Sequence, residues 1–158
     1  MENTMKSEAA KAIWELKRGN PRNIESIIRF LSKDEYSFGT GYVKEYAWRV
    51  LRRAKLTERQ RERLRSVALN HLRKRMRREF WYMCRFICCI ADKPFKSRVE
   101  QLTASKDELI RKRAVLLNAY LESPEKGERL RVEFWRECLS SKNYSRFYRL
   151  IEASHAQR

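Results

Sequence analysis

The residues best placed to do chemistry in this chain are its arginines. Between Arg49 and Arg78, thirteen Lys and Arg stand against two acids, Glu58 and Glu62, a surplus of eleven positive charges in thirty residues. A guanidinium stays charged at any physiological pH and grips phosphate or carboxylate oxygens two at a time. The chemistry on offer is therefore recognition of an anion, not bond making. Exposed helices usually mix signs, because Glu–Lys pairs one turn apart are mildly stabilising. A single-sign run of this density repels itself unless something anionic relieves it, which predicts a polyanionic partner. The competing account is an arginine-rich face that is simply solvated.

Other chemistries are less supported. Cys84, Cys88 and Cys89 cluster inside the apolar run from Phe80 to Ile90, where thiols act as small hydrophobes. Structural zinc favours paired cysteines in loops where four ligands converge, and a nucleophilic Cys needs a lowered pKa and a nearby imidazole. His71 falls on the apolar side of its segment and reads as a satisfied edge residue. The four glycines, Gly19, Gly39, Gly41 and Gly127, form no phosphate-cradling loop. The acid pairs Asp34-Glu35 and Asp107-Glu108 read as helix-start acids. No catalytic residue, metal or cofactor is expected.

The elements that must carry the arginines are helical. The chain has 158 residues, a net charge of +17 and 42% hydrophobic residues, enough apolar content for one packed domain over 1–158. Four glycines and three prolines are too few for the turns of an all-β protein. Apolar stripes at helical spacing occur at Ile24, Ile27, Ile28 and Leu31, at Val43, Ala47, Val50, Leu51 and Ala54, and at Leu64, Val67, Ala68 and Leu72. Gly19-Asn20-Pro21, the loop Ser37–Gly41, Lys93-Pro94 and Ser123-Pro124 punctuate them. Thr57 opens a helix, while the break near residues 73–77 carries no turn signal. The first eight residues hold no apolar run of signal-peptide length, and no segment approaches the ~20 apolar residues of a membrane span. The basic segment Thr57–Met76 has a small apolar side without Trp or Phe, better suited to burial against a helix than to lipid. With clustered rather than framework cysteines, these features predict an intracellular setting, cytoplasmic or nuclear.

A pattern recurs: an apolar residue, often a base, two spacers and a second apolar residue. It reads Val43-Lys44 to Ala47, Met76-Arg77 to Phe80, and Ile110-Arg111 to Ala114, with looser versions at Ala10-Lys11 to Trp14 and Tyr144-Ser145 to Tyr148. The starts lie 33 or 34 residues apart. On these residues, and on Asp107-Glu108-Leu109-Ile110-Arg111-Lys112-Arg113-Ala114 above all, the chain resembles the HEAT-repeat family. The resemblance implies an all-α solenoid of antiparallel helix pairs, with approximate repeats over 5–18, 21–55, 57–92, 94–122 and 125–154. An irregular helical bundle is the competing architecture. In that family the second helix of each pair lines the concave side. The implied ladder runs through Arg49, Arg52 and Arg53, then Arg77, Arg78 and Arg85 with Tyr82, then Lys112 and Arg113 near Tyr120, then Arg146 and Arg149. Some HEAT-like proteins are DNA glycosylases that use an acid at the groove centre; this ladder offers no obvious carboxylate, although Glu45 and Glu79 lie close by, and the activity is not carried over.

The sequence thus predicts a non-enzymatic protein that binds DNA or RNA through phosphate contacts, with Tyr46, Tyr82 and Trp81 as candidate stacking residues and core packing the competing role for Trp81. The alternative is an adaptor docking an acidic protein, and a chain of this size and charge also suits a subunit of a larger complex.

Overall fold

A computed structural model describes residues 2–34, 39–74 and 77–140, with side chains placed over 7–34, 39–74 and 77–134. All regular structure among them is helical: α1 (Glu2–Lys17), a 3-10 turn (Pro21–Asn23), α2 (Ile24–Lys33), α3 (Thr40–Leu51), α4 (Glu58–Leu72), α5 (Phe80–Ile87), α6 (Lys93–Leu102), α7 (Glu108–Glu122) and α8 (Pro124–Ser140). The all-α expectation holds, and the unsignalled break after α4 falls at Arg73.

Local chemistry explains most boundaries. Gly19 takes a left-handed φ of 87° after α1, a conformation that costs glycine nothing. Thr57 caps α4 through a reciprocal box in which its hydroxyl accepts from Gln60 N and the Gln60 side chain accepts from Thr57 N. Asp92 and Asp107 accept backbone N–H bonds at the starts of α6 and α7. Pro94 and Pro124 sit in first turns, where their missing donor is not needed. Two readings need correction. Thr40 and Gly41 belong to α3, not to a loop, with Gly39 as the cap at φ 77°. Asp34 starts no helix: it ends α2, in the left-handed region at φ 50°.

The predicted stripes of α2 and α4 are buried, whereas in the third stripe only Ala47 and Leu51 are; Val43, Val50 and Ala54 are half-buried, and Trp48, which the stripe did not include, is in the core. Ile27, Ile28 and Leu31 of α2, Ala47, Trp48 and Leu51 of α3, and Leu64, Ala68 and Leu72 of α4 share one core with Phe80, Met83, Phe86 and Ile87 of α5. Each buried Leu, Ile, Met or Phe among them contributes roughly 1.5–3 kcal/mol. Trp48 lies against Phe86 with ring centroids 5.3 Å apart. Helix α1 packs on α3, α3 on α5 and α5 on α7, while α2 packs on α4 and α7 holds both α6 and α8. Helices α4 and α6 are not a closely packed pair.

One buried polar knot ties these helices together. The Asp34 carboxylate pairs with Lys44 Nζ of α3, whose side chain is 0% exposed, and lies 2.9 Å from Lys74 Nζ and 3.8 Å from both Arg77 Nη1 and His71 Nε2. The many donors hold Asp34 below the usual carboxylate range despite the opposing effect of burial. His71 is thus no edge residue. It is buried, and desolvation, reinforced by Lys44, Lys74 and Arg77, pushes its imidazole down to about 4, with Asp34 pulling the other way. Glu79, 1% exposed with neither oxygen hydrogen-bonded among the described residues, is pushed up by burial.

These shifts set a pH response. A histidine whose folded pKa lies below its unfolded value of about 6.5 takes up its proton on unfolding, so stability falls as pH drops from about 6.5 toward 4, by roughly 3 kcal/mol in all. Glu79 acts in the opposite sense, contributing most at low pH. Urea titrations from pH 7 to 5 should show wild-type stability falling with acid, and His71→Gln should remove most of that slope. An unchanged slope in the variant would place the titrating group elsewhere.

Candidate functional site

The arginines of the basic stretch separate into three environments. Some are internal struts. Arg65 is buried and donates to Ile90 O at 2.9 Å, to Glu58 at 2.6 Å and to Asp92 at 3.1 Å, joining α4 to the α5–α6 link. Arg113, predicted for the ladder, is 5% exposed and donates from Nη1 to Leu72 O at 2.8 Å, where it satisfies a carbonyl at the C-terminus of α4. That carbonyl is at the negative end of the helix dipole, so a buried cation is at home there. Arg113 is removed from the candidate surface.

A second group is paired with acids from distant parts of the chain. Arg63 meets Glu25 of α2, Arg77 and Lys74 meet Asp34, and Arg78 meets Glu45. Lys112 pairs with Glu108 one turn away at 2.7 Å. Arg85 donates to Glu128 at 2.5 Å, and the same carboxylate accepts from Tyr120 Oη and Arg131 Nε at 2.9 Å each. Those donors, Arg85 first, bring Glu128 down to about 2, while burial and the Glu128 contact push Tyr120 up. The expectation that the run must repel itself in the absence of a partner is therefore corrected: acids of α2, α3, α4 and the connecting turns relieve much of it.

The third group faces solvent. Arg52 and Arg53 are exposed, and neither has an ion pair or side-chain hydrogen bond among the described residues. Arg49, also exposed, has only Glu45 at 3.8 Å, and the Glu45 carboxylate is already engaged by Arg78. These three converge on a groove. One cavity of about 550 Å³ lies between α1 and α3 and is walled by Lys17, Tyr46, Arg49, Arg52 and Arg53. A second, of about 280 Å³, lies between α3 and α5, with Tyr82 and Arg85 on its far wall. Arg49 and Arg52 belong to both, and no acid lines either. Aromatic rings interleave with the cations: Lys17 and Arg49 each stand 5.8 Å from the Tyr46 centroid, and Arg49 and Arg85 stand 5.8 and 5.5 Å from that of Tyr82.

Of the ten predicted residues, Arg49, Arg52, Arg53 and Arg85 share this groove. Arg78 lies on exposed surface, stacked 4.3 Å from the centroid of exposed Tyr42. Arg77 belongs to the Asp34 knot, Lys112 lies on α7 and Arg113 is interior. Arg146 and Arg149 lie outside the described residues, as does Met76 of the repeat pattern. Trp81 is buried, in keeping with core packing, while Tyr46 is exposed and Tyr82 half-buried. Lys17 was missed, although it lies 33 residues before Val50 and one turn after the exposed, Arg18-stacked Trp14.

Sequence reasoning also missed a second cleft, about 460 Å³, between α4 and α6. Leu69 and Leu102 line it together with Arg73, Arg98, Asn70 and Gln101. The cysteines are not alike: Cys84 is buried, Cys88 half-buried and Cys89 exposed. Cys88 Sγ contacts Cys84 O and Tyr120 O at 3.1 Å, and burial pushes its thiol up to about 11, so it stays protonated. No helix among the described residues is long and apolar enough to cross a membrane.

Stability measurements should separate struts from groove residues. Arg113→Ala leaves the Leu72 carbonyl buried without its donor and should cost about 2–3 kcal/mol. Arg53→Ala, at an exposed position, should change stability by no more than about 0.5 kcal/mol. Guanidinium chloride unfolding of both variants tests this, and equal effects would refute the partition.

Comparison with known proteins adds no relative: no protein-family model, no curated protein and no solved structure matches this chain.

Proposed function

We propose that this chain is a non-enzymatic, intracellular nucleic-acid-binding protein that holds a phosphate backbone in the groove formed by α1, α3 and α5. The observation that carries the reading is the groove lining itself: five cations, Lys17, Arg49, Arg52, Arg53 and Arg85, with no acid among the lining residues. Arg63, Arg65 and Arg78 of the same basic stretch are matched to carboxylates; Arg52 and Arg53 are not. Contacts of this kind position a backbone without reading bases, so affinity is insensitive to sequence and steep in salt.

The successive packing of α1 on α3, α3 on α5 and α5 on α7 is in keeping with a HEAT-like stack whose second helices share a face. A ladder through these helices is shorter than the sequence implies, since it loses Arg113 on α7.

A second reading has its own support. The α4–α6 cleft combines apolar Leu69 and Leu102 with Arg73 and Arg98, neither of which has a carboxylate partner among the described residues. Leucines beside arginines suit an acidic, partly apolar protein segment better than a phosphate chain. On this reading the chain is an adaptor, or a subunit of a larger assembly.

Fluorescence anisotropy with labelled 20-mers across a salt series tests the first reading. Engagement of three to five phosphates gives a log–log slope between about −2 and −4.5. The triple variant Arg49→Glu, Arg52→Glu, Arg53→Glu should weaken binding at least about 100-fold, because it removes several charge-assisted hydrogen bonds to phosphate together, with helicity by circular dichroism unchanged. A flat salt response, or undiminished affinity in the triple variant, would count against the groove. Direct binding of a labelled acidic leucine-containing peptide, lost in Arg73→Glu, Arg98→Glu and kept in the triple groove variant, would favour the adaptor.

A further inference from the structure

Resting on the nucleic-acid reading of the same groove, we infer that the ligand is single-stranded, with its bases stacked on Tyr46 and Tyr82 and its phosphates on the intervening cations. Three observations lead there.

The first is order. Across α1, α3 and α5 the side chains alternate cation, ring, cation, ring, cation: Lys17, Tyr46, Arg49, Tyr82, Arg85, with each ring 5.5–5.8 Å from the cations beside it. A single strand has the matching alternation, a phosphate and then a base with an exposed π-face. A duplex does not, because its bases face one another and only its phosphates are outward. Recognition of unpaired bases on aromatic and guanidinium planes is the usual solution for single strands.

The second is size. The two cavities, about 550 and 280 Å³, are on the scale of sites that enclose small organic groups. A splayed nucleoside enters such a space; a rigid duplex is too wide to enter it and reaches only its outer edge.

The third is availability. Tyr46 is 37% exposed, and its ring is held by no aromatic partner among the described residues. A cation beside an exposed tyrosine is a weak contact compared with a charge-assisted bond to phosphate. An arriving strand therefore draws Lys17 and Arg49 to its phosphates and leaves the ring faces for its bases. Arg85 is held by Glu128, so its share of the phosphate contact is smaller.

The test uses the full chain in anisotropy titrations at one salt concentration. The probes are a labelled thymidine 20-mer, a uridine 20-mer, a 20-base-pair mixed-sequence DNA duplex, and inorganic polyphosphate as a competitor that has charge but no bases. The wild type should bind the single strands at least about tenfold more tightly than the duplex. Tyr46→Leu should weaken single-strand binding about tenfold, the effect of losing one stacked base, and leave polyphosphate competition within twofold. Tyr46→Phe should restore the wild-type value, and the same pair of substitutions at Tyr82, checked for helicity, should behave alike. Equal binding of duplex and single strand, or a Tyr46→Leu variant with undiminished single-strand affinity, overturns the inference while leaving phosphate binding intact. Failure of every probe, polyphosphate included, overturns both. A thymidine and a uridine strand bound alike supports stacking without 2′-hydroxyl recognition; a preference for either refines the class to DNA or RNA within the same mode.

Discussion

The interaction on which the arrangement depends is the buried ion pair between Asp34 and Lys44. An ammonium group with no solvent exposure is costly unless a carboxylate is desolvated with it, and Asp34 supplies that carboxylate from the end of α2. It does so at a φ of 50°, a region that Asp tolerates better than most residues. The same carboxylate draws in Lys74 after α4 and Arg77 before α5, so one side chain at the end of α2 ties that helix to three others. Once Lys44 is anchored inward, helical periodicity does the rest. Ala47, Trp48 and Leu51 follow it into the core, and Tyr46, Arg49 and Arg53 emerge on the opposite side. The groove is a consequence of the knot on the far face of α3.

Helix α5 forms the other wall for a complementary reason. Its eight residues, Phe80–Ile87, are buried except at Tyr82 and Arg85. These two lie three residues apart and so project from one face. A helix this apolar has no freedom to rotate, because any turn about its axis would expose Phe80, Met83 or Phe86. The Tyr82 ring is therefore held in place by the packing of its helix, and the Arg85 guanidinium by Glu128 as well, which is what a preorganised binding surface requires.

Much of this is legible in the sequence, and the limits are physical. The stripes of α2 and α4 are readable because burial imposes a helical period on apolar residues, and Gly19, Thr57 and Asp107 because caps act over a few residues. The fate of each arginine is not, because it depends on partners far away in the chain. Glu25 reaches Arg63, Glu128 reaches Arg85, and the carbonyl of Leu72 reaches Arg113. One signal does exist for Arg113: it shares the inward face of α7 with Leu117 and Tyr120, at spacings of four and seven, so its burial follows from the same periodicity that places the leucines. Lys17 escapes a ladder confined to second helices, whereas α1 packs on α3 like the others.

The paired arginines also bear on what kind of anion suits the groove. Glu45 stands between Arg49 and Arg78, and Glu128 between Arg85 and Arg131. A carboxylate on a partner protein would offer Arg49 or Arg85 only what these internal acids already provide, at the added cost of ordering the partner. A polymer carrying a charge on every unit differs in kind. It would, in the proposed mode, engage Arg52, Arg53 and Lys17 together with Arg49, and its binding would be driven by release of condensed counterions that an isolated side chain does not have. In the proposed mode, Glu45 and Glu128 act as a threshold that sparse acids do not cross and a phosphate chain does.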